Sequence, residues 1–249
     1  MTVVLSLFPG IGLLDMAFEL EGFCVVRGPD VLWGGDIRNF HPPARKFDGV
    51  IGGPPCQIHS QAGNLRSGHN RKAIDLIPEF ERCIAESGPG WFVMENTPRT
   101  RLPVVSGYEV SDYLCNARWF GSEQLRRRRF SFGVRGHRVP LLIEPSMTRA
   151  RRIVRCVTAS DGKRNGRGCN LPDRMHTLSA QQMTFAEACQ AQGLPGDFLS
   201  DGPFTKEGRW RMIGNGVPLP MGRAIARAVR EAIESNGLER RHANGEAKA

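Results

Sequence analysis

Residues 3–12 read Val-Val-Leu-Ser-Leu-Phe-Pro-Gly-Ile-Gly. This stretch runs from an apolar strand into a Gly-x-Gly turn, and a helical pattern then follows to Gly22. Glycines between a strand and a helix let a ligand approach the backbone closely. A single turn of this kind is weak evidence for a ligand site, so the other segments of the chain carry the functional argument.

Short apolar segments alternate with helical patterns beyond this turn. The expected strands and helices of the first half are Val3–Phe8, a helix to Leu20, Val25–Val26, Val50–Ile51, a helix near Ile74–Ser87, and Phe92–Met94. The alternation predicts an α/β fold with a mostly parallel, doubly wound sheet and helices on both faces. Residues 108–134 are expected to form a strand, a short helix and another strand, and helices return at Thr184–Gln192 and Met221–Ser235.

The composition of the chain indicates the class of partner it binds and the cellular compartment in which we expect it. The 249 residues carry 34 Lys and Arg against 25 Asp and Glu, and this net charge of +9 favours a polyanion as partner. Seven cysteines without a signal peptide fit a reducing cytosol, so a cytoplasmic protein is expected. Cys156, Cys169 and His176 are too far apart for a zinc signature, and Val3–Phe8 is too short to span a membrane, so neither a metal nor a membrane is expected.

Residues 52–57 read Gly-Gly-Pro-Pro-Cys-Gln and follow the apolar run Phe47–Ile51. The two prolines fix φ and remove backbone donors, so the thiol of Cys56 is aimed by a stiff loop. Taken alone, a Pro-Cys pair is better interpreted as a loop with a small buried cysteine. Further segments in register with it change that interpretation; they are Phe8–Gly12, Glu95–Pro98, Gln124–Arg128 and Gly214–Pro218.

In this order the segments resemble the DNA cytosine-5 methyltransferase family, over residues 3–135 and 174–230. The resemblance implies a Rossmann-like methyltransferase fold, S-adenosylmethionine as cofactor and double-stranded DNA as the partner of a monomeric enzyme. It assigns residues 1–135 to a catalytic and cofactor-binding domain that residues 205–236 complete. Residues 136–204 would form a small target-recognition region with a connecting helix, and residues 237–249 a disordered tail.

The resemblance implies a catalytic role for four residues. Cys56 would attack carbon 6 of cytosine as a thiolate, which makes carbon 5 nucleophilic. Glu95 would bind N3 and the exocyclic amine of the base; the alternative is a carboxylate that caps a helix. Arg126 and Arg128 alternate before a strand and so share one face. They would reach the base oxygen and the neighbouring phosphate; the alternative is a solvated basic run.

The cofactor residues implied by the resemblance are Phe8, Gly10, Ile11, Gly12, Asp30, Asp36, Ile37, Pro54, Asn215 and Val217. Asp36 would bind the adenine amine. Asp30 would bind the ribose hydroxyls, because it is the one acid in an abbreviated segment after the second strand. A plain helix N-terminus is the alternative interpretation of Asn215 and Val217. The abbreviated segment also leaves open a variant methyl donor.

A base inside a duplex is out of reach, so the resemblance also implies that the cytosine is flipped out. The DNA-binding residues implied are Gln57, Ser60, Arg66, Gln124, Arg151, Arg152 and Arg155, of which Gln124 would also order its loop. The recognition region is short and rich in arginine. Because phosphate contacts carry no sequence information, it predicts a target of about two to four base pairs.

Two other functions stay open at this point. One keeps the reaction and changes the substrate to transfer RNA, on which family members with small recognition regions act. The other is an inactive DNA-binding relic, against which the presence of Gly10, Cys56 and Glu95 argues. The recognition sequence and the biological role, whether restriction, protection or regulation, do not follow from the sequence.

Overall fold

The computed structural model describes residues 1–55, 74–146, 154, 156–159, 161 and 183–238. Within those residues, no helix has the length and hydropathy needed to cross a bilayer. The same residues hold no group of three or more His, Cys, Asp or Glu side chains that could bind a metal ion.

The described residues form one sheet and five α-helices. The strands are β1 (Val3–Leu7), β2 (Cys24–Arg27), β3 (Gly49–Gly52), β4 (Trp91–Asn96), β5 (Tyr108–Asn116) and β6 (Arg127–Arg135). The helices are α1 (Leu13–Leu20), α2 (Ile77–Ser87), α3 (Phe185–Ala191), α4 (Lys206–Asn215) and α5 (Leu219–Ser235). Short 3-10 turns lie at Val31–Trp33, Ile37–Asn39 and Ala117–Phe120.

The sheet has the strand order β2-β1-β3-β4-β6-β5. The pairs β1–β2, β1–β3 and β3–β4 are parallel, whereas β6 is antiparallel to both β4 and β5. Because β6 alone runs against the other strands, β5 ends at the same edge of the sheet as β4. This mixed sheet with a parallel majority confirms the predicted Rossmann-like α/β fold.

Both faces of the sheet are covered by helices, as the buried strands require. Val4, Ile51 and Val93 point to the face covered by α1 and α5. Their neighbours in sequence, such as Val50 and Phe92, point to the opposite face, which α2 covers. The period-2 alternation of the strands therefore divides the apolar side chains between two cores.

A third apolar cluster joins the last third of the chain to the start of α1. Leu13 packs there with Ala188 of α3 and with Trp210 and Ile213 of α4. Since Leu13 directly follows the Gly-x-Gly turn, this cluster places α3 and α4 beside that turn.

Helix α4 is the element that the sequence did not predict. The sequence predicted a last helix at Met221–Ser235; in the structure α4 ends at Asn215, and α5 begins at Leu219 with Pro218 as its N-cap. Two glycines and a weak apolar periodicity hide α4 in the sequence. The division of the chain into a main domain and a recognition region stays a prediction.

Candidate functional site

The candidate site lies at the carboxyl edge of the sheet, where β1, β3 and β4 end side by side. Leu7 pairs with Gly52, and Gly52 pairs with Met94. The segments after these three strands are therefore neighbours. The strand order reverses between β1 and β3, and open α/β sheets bind their ligands in the crevice at such a point.

The Gly-x-Gly turn forms the first wall of this crevice. The φ angles of Phe8 and Gly10 are both 56°, and that of Gly12 is 80°. The Gly12 amide donates to the Pro9 carbonyl at 2.8 Å and closes the turn. A Cβ at Gly10 would meet no atom within 4 Å. This open space beside the N-terminus of α1 fits a cofactor that lies against the backbone. Ile11 packs into the third apolar cluster and anchors the turn.

A buried carboxylate fixes the turn to the strands behind it. Asp15 of α1 accepts a hydrogen bond from the Ser6 hydroxyl at 2.5 Å and pairs with Arg27 Nε at 3.0 Å. Burial raises the pKa of Asp15, while the bonds from Ser6 and Arg27 oppose that rise. The Arg27 guanidinium fills the space behind Gly12, where a Cβ would lie 2.7 Å from Nη2.

Asp30 lies at the Gly-x-Gly turn, but its carboxylate already binds the backbone. It accepts from the Gly10 amide at 2.9 Å and from the Leu32 amide at 2.7 Å. Trp33 Nε1 donates to the Gly10 carbonyl at 2.8 Å, and the Trp33 side chain is 61% exposed. Sequence reasoning missed Trp33, because a single aromatic residue in a short turn forms no pattern. Asp30 thus holds the turn, and Trp33 offers an aromatic surface beside it.

The segment around Asp36 is placed differently from the expectation. The Asp36 carboxylate caps the following 3-10 turn and binds the Arg38 guanidinium through both oxygens, at 2.6 to 3.0 Å. Hydrogen bonds from Arg38 lower the pKa of Asp36 to about 2. Ile37 is 4% exposed and packs into the core under α2. A contact of Asp36 with adenine therefore stays a prediction, and the side chain of Ile37 supports the turn from below.

The junction between α4 and α5 forms a second wall of the crevice. A Cβ at Gly216 would lie 2.3 Å from Leu13 Cδ1, so this junction touches the residue after the Gly-x-Gly turn. Asn215 is exposed, whereas Val217 is 4% exposed and joins the core under α1 and α5. The structure thus brings the N-terminal and C-terminal cofactor segments of the prediction together.

Glu95 and Arg128 form a buried ion pair at the ends of β4 and β6. Glu95 Oε1 lies 2.8 Å from Arg128 Nε, and the two side chains are 11% and 16% exposed. Burial raises the pKa of Glu95, and the charges of Arg128 and Arg126 oppose that rise. A carboxyl group with a raised pKa is more often protonated near neutral pH and can donate a proton.

The segment before Cys56 packs directly against Glu95. A Cβ at Gly53 would lie 3.2 Å from Glu95 Oε2, so the carboxylate and this backbone are close neighbours. Asn96 Nδ2 donates to the carbonyl of buried Pro54 at 3.0 Å. The end of β4 therefore fixes both the carboxyl group and the loop that leads to Cys56.

The placement of Arg126 differs from its expected contact with the nucleotide. Its side chain is among the largest fully buried ones, and the residue is 1% exposed. The guanidinium donates to the backbone carbonyls of Val157, Gly214 and Gly216 at 2.8, 2.8 and 2.9 Å. The enclosed guanidinium supports the backbone at Val157, Gly214 and Gly216, and a contact of Arg126 with a base oxygen or a phosphate stays a prediction.

Gln124 is placed differently from its expected contact with DNA, because it is 0% exposed. Its Nε2 donates to the Ala191 carbonyl at 2.6 Å and to Gln192 Oε1 at 3.0 Å. Its Oε1 accepts from the Val157 amide at 3.3 Å. These bonds agree with the second expected role of Gln124, the ordering of its own loop.

Several predicted residues lie outside the described residues. They are Cys56, Gln57, Ser60, Arg66, Arg151, Arg152 and Arg155. Their assigned roles stay predictions from the sequence.

A family described as C-5 cytosine-specific DNA methylase matches residues 33–103. The Type II methyltransferase M.HgiGI of Herpetosiphon aurantiacus is 31% identical, over 39% of this chain and 92% of that protein. M.HgiDI of the same organism is 26% identical over 94% of this chain and 96% of that protein. M.NgoPII of Neisseria gonorrhoeae is 30% identical over 53% of this chain, and this match spans only about half of that protein, 48%.

Two solved structures have a similar fold. The S. pombe Dnmt2 methyltransferase has a TM-score of 0.64 at 13% identity and covers 95% of this chain and 99% of its own. The Entamoeba histolytica methyltransferase EhMeth has a TM-score of 0.63 at 14% identity and covers 95% and 98%. At these identities the likeness concerns the fold alone.

Proposed function

Because this chain belongs to the C-5 cytosine-specific DNA methylase family, we propose that it transfers a methyl group from S-adenosylmethionine to carbon 5 of cytosine in DNA. The observation that carries the proposal is the buried Glu95–Arg128 pair, packed against the backbone of Gly53. Cys56 follows that backbone by three residues in the sequence. The proposed reaction requires an acid and a thiol, and Glu95 and Cys56 are the residues that we assign to these roles.

Cys56 supplies the nucleophile in the proposed reaction. Its thiolate adds to carbon 6 of the cytosine, and the electrons of the 5,6 double bond become available at carbon 5. After carbon 5 has been methylated, it loses its proton, the sulfur–carbon bond breaks and the thiolate of Cys56 is released. We propose that the positive charge of Arg128 favours the thiolate of Cys56 over its thiol.

Glu95 makes the addition easier by acting on the other side of the ring. Negative charge builds up at N3 when the thiolate adds, and a protonated carboxyl group can hydrogen-bond to N3 and donate to it. The raised pKa of Glu95 supports this role, because a carboxylate with an ordinary pKa would hold almost no proton at neutral pH. Arg128 orients Glu95 and adds a second donor at the base pocket.

The crevice between the Gly-x-Gly turn and the α4–α5 junction would hold the cofactor. The open space above Gly10 and the exposed ring of Trp33 fit a nucleoside, and Asn215 offers a polar group from the facing wall. When bound there, S-adenosylmethionine supplies an electrophilic methyl group. Phe8, with its left-handed backbone, directs the chain from β1 into this turn.

Double-stranded DNA is the proposed substrate, and the net charge of +9 supports a polyanionic partner. The relatives named as Type II methyltransferases support a role in DNA modification. We propose that the flipped cytosine enters the pocket formed by Glu95, Arg128 and the loop that begins at Gly53.

Bisulfite sequencing of DNA from cells that express the chain tests this function. Expression of the wild type should protect cytosines in one short sequence context from conversion, and expression of Cys56→Ser should protect none. Equal conversion in both cultures, together with a soluble wild-type protein, would refute the proposed activity on DNA.

A further inference from the structure

Three buried polar side chains, outside the groups that the proposed reaction uses, belong to one hydrogen-bonded cluster. Gln124, Arg126 and Gln192 are 0%, 1% and 0% exposed. Burying an amide or a guanidinium is costly unless hydrogen bonds replace those made with water. The partners of these side chains therefore show what the burial achieves.

Two of the backbone carbonyls that Arg126 binds lie at the end of α4. Its Nη2 donates to Gly214 and Gly216 at 2.8 and 2.9 Å, while Nη1 donates to Val157 at 2.8 Å. The last carbonyls of a helix have no partner inside the helix and carry partial negative charge. A planar, positively charged group with several donors suits such a cluster of acceptors.

Gln192 binds the same helix end from α3. Its Nε2 donates to the carbonyl of Ile213 at 2.5 Å and lies 3.4 Å from that of Gly216. Its Oε1 accepts from Gln124 at 3.0 Å, and its own carbonyl accepts from the Leu219 amide, the first residue of α5, at 2.8 Å. Gln192 therefore holds both sides of the α4–α5 junction, through its side chain and through its backbone.

This junction is the wall of the cofactor crevice that faces the Gly-x-Gly turn. Gly216, whose carbonyl Arg126 and Gln192 share, is packed against Leu13. On the other side, Arg126 is two residues from Arg128, which binds Glu95. One buried network thus connects the wall of the cofactor crevice to the strand of the base pocket.

We propose that Arg126 and Gln192 are positioning residues that fix residues 215–217 as a cofactor wall in register with the base pocket. The proposal rests on the proposed function, since the crevice must bind S-adenosylmethionine. Neither side chain reaches the crevice itself; both act through the backbone of the wall. Their loss should therefore weaken cofactor binding more than DNA binding or folding.

The two test variants are Arg126→Lys and Gln192→Met. A lysine keeps the charge, but a single ammonium group cannot reproduce the planar fork that spans Gly214 and Gly216. A methionine keeps a long side chain and removes the Nε2 donor. The matched controls are Arg138→Lys and Gln190→Met, which make the same changes at exposed positions. Ile233→Val shortens a fully buried side chain near the far end of α5 and controls for a general loss of stability.

Isothermal titration calorimetry of the full chain with S-adenosylmethionine, without DNA, is the closing experiment. Each test variant should raise the Kd about tenfold, the factor that corresponds to roughly one lost hydrogen bond to a charged group or buried carbonyl. The three controls should stay within about twofold of the wild type. In methyl transfer assays, the KM for the cofactor should rise while kcat at saturating cofactor and the Kd for duplex DNA stay near wild type.

The outcomes separate the two proposals. If the wild type and the variants bind S-adenosylmethionine equally well, the positioning role of Arg126 and Gln192 is refuted and the proposed function stands. If the wild type binds no S-adenosylmethionine, the proposed function is refuted, and the positioning role with it. A loss of kcat without any change in the KM for the cofactor would show a structural role only. If Arg126→Lys does not fold, Gln192→Met decides the result, because it leaves the buried guanidinium of Arg126 and its hydrogen bonds in place.

Discussion

Replacement of Glu95 by glutamine should slow methyl transfer without disturbing the cofactor. The amide has the shape of the carboxyl group it replaces and can still hydrogen-bond to the base, but it cannot donate a proton to N3. Loss of a general acid typically lowers a rate by about 10²–10⁴, which is about 3–5 kcal/mol of transition-state stabilisation. The ion pair with Arg128 is also lost. Because Arg128 then keeps its charge without a carboxylate partner, the free energy of unfolding should also fall, so rates are compared at equal concentrations of folded protein.

The raised pKa of Glu95 also predicts how the rate of methyl transfer and the stability of the fold change with pH. Burial raises the pKa of Glu95 above its ordinary value of 4.5. The protonated fraction, and the rate that depends on it, should fall as pH rises through the raised pKa in the wild type. Since the folded state binds this proton more tightly than the unfolded state, wild-type stability should also fall as pH rises from 4.5 through the raised pKa. Glu95→Gln should lack both of these losses.

Initial rates of methyl transfer to duplex DNA and calorimetry with S-adenosylmethionine measure the effect. Asp112→Asn is a matched control, because Asp112 pairs with Arg129 at 3.2 Å on β5 and β6 outside the pocket. It should keep a near wild-type rate. A Glu95→Gln variant with normal turnover and a weakened cofactor complex would refute the account, because Glu95 would then belong to the cofactor crevice.

Two further variants test the nucleophile and the turn. Duplex DNA that contains 5-fluorocytosine should trap the wild type covalently, because fluorine replaces the proton that carbon 5 must lose. Denaturing gel electrophoresis should show this adduct with the wild type and none with Cys56→Ser. An adduct at another cysteine would refute the assignment of Cys56. Gly12→Ala should lower the free energy of unfolding by about 1–2 kcal/mol in urea titrations, because its φ of 80° is left-handed, and should also weaken cofactor binding. Gly107→Ala has the same strain at φ 79° with no neighbour within 4 Å, so it should lose stability without losing affinity.

Much of the sheet could be predicted from the sequence, because its strands are buried on both faces and read as apolar runs. Val50–Ile51 and Phe92–Met94 lie inside β3 and β4, and the turn after β1 lies where its glycines indicate. The site follows from the same logic: neighbouring parallel strands end together, so the segments after them meet. Glu95 and Gly53 are close for this reason. Their sequence neighbours Asn96 and Pro54 are joined by a hydrogen bond although they are 42 positions apart in the sequence.

The burial of Arg126 could not be predicted from the sequence. Alternation places Arg126 and Arg128 on one face, but it does not show what covers that face. Arg128 pairs with the Glu95 carboxylate, whereas Arg126 donates to a carbonyl at the end of α4. The periodicity of the sequence did not reveal this helix. Trp210 and Ile213, two buried residues of α4, pack in the third apolar cluster. The apolar residues of this helix show only a weak helical periodicity in the sequence. Trp33 was missed because a lone exposed aromatic residue in a short turn has no pattern.

Methylation of carbon 5 of cytosine in DNA through Cys56, as we propose, is tested by incubating the purified chain with duplex DNA and S-adenosylmethionine that carries a deuterated methyl group. The labelled nucleoside is then identified by mass spectrometry. Labelled 5-methyldeoxycytidine is expected with the wild type and none with Cys56→Ser. Label on an exocyclic amine of cytosine or adenine, label found only when RNA replaces DNA, or equal labelling by Cys56→Ser would contradict this proposal.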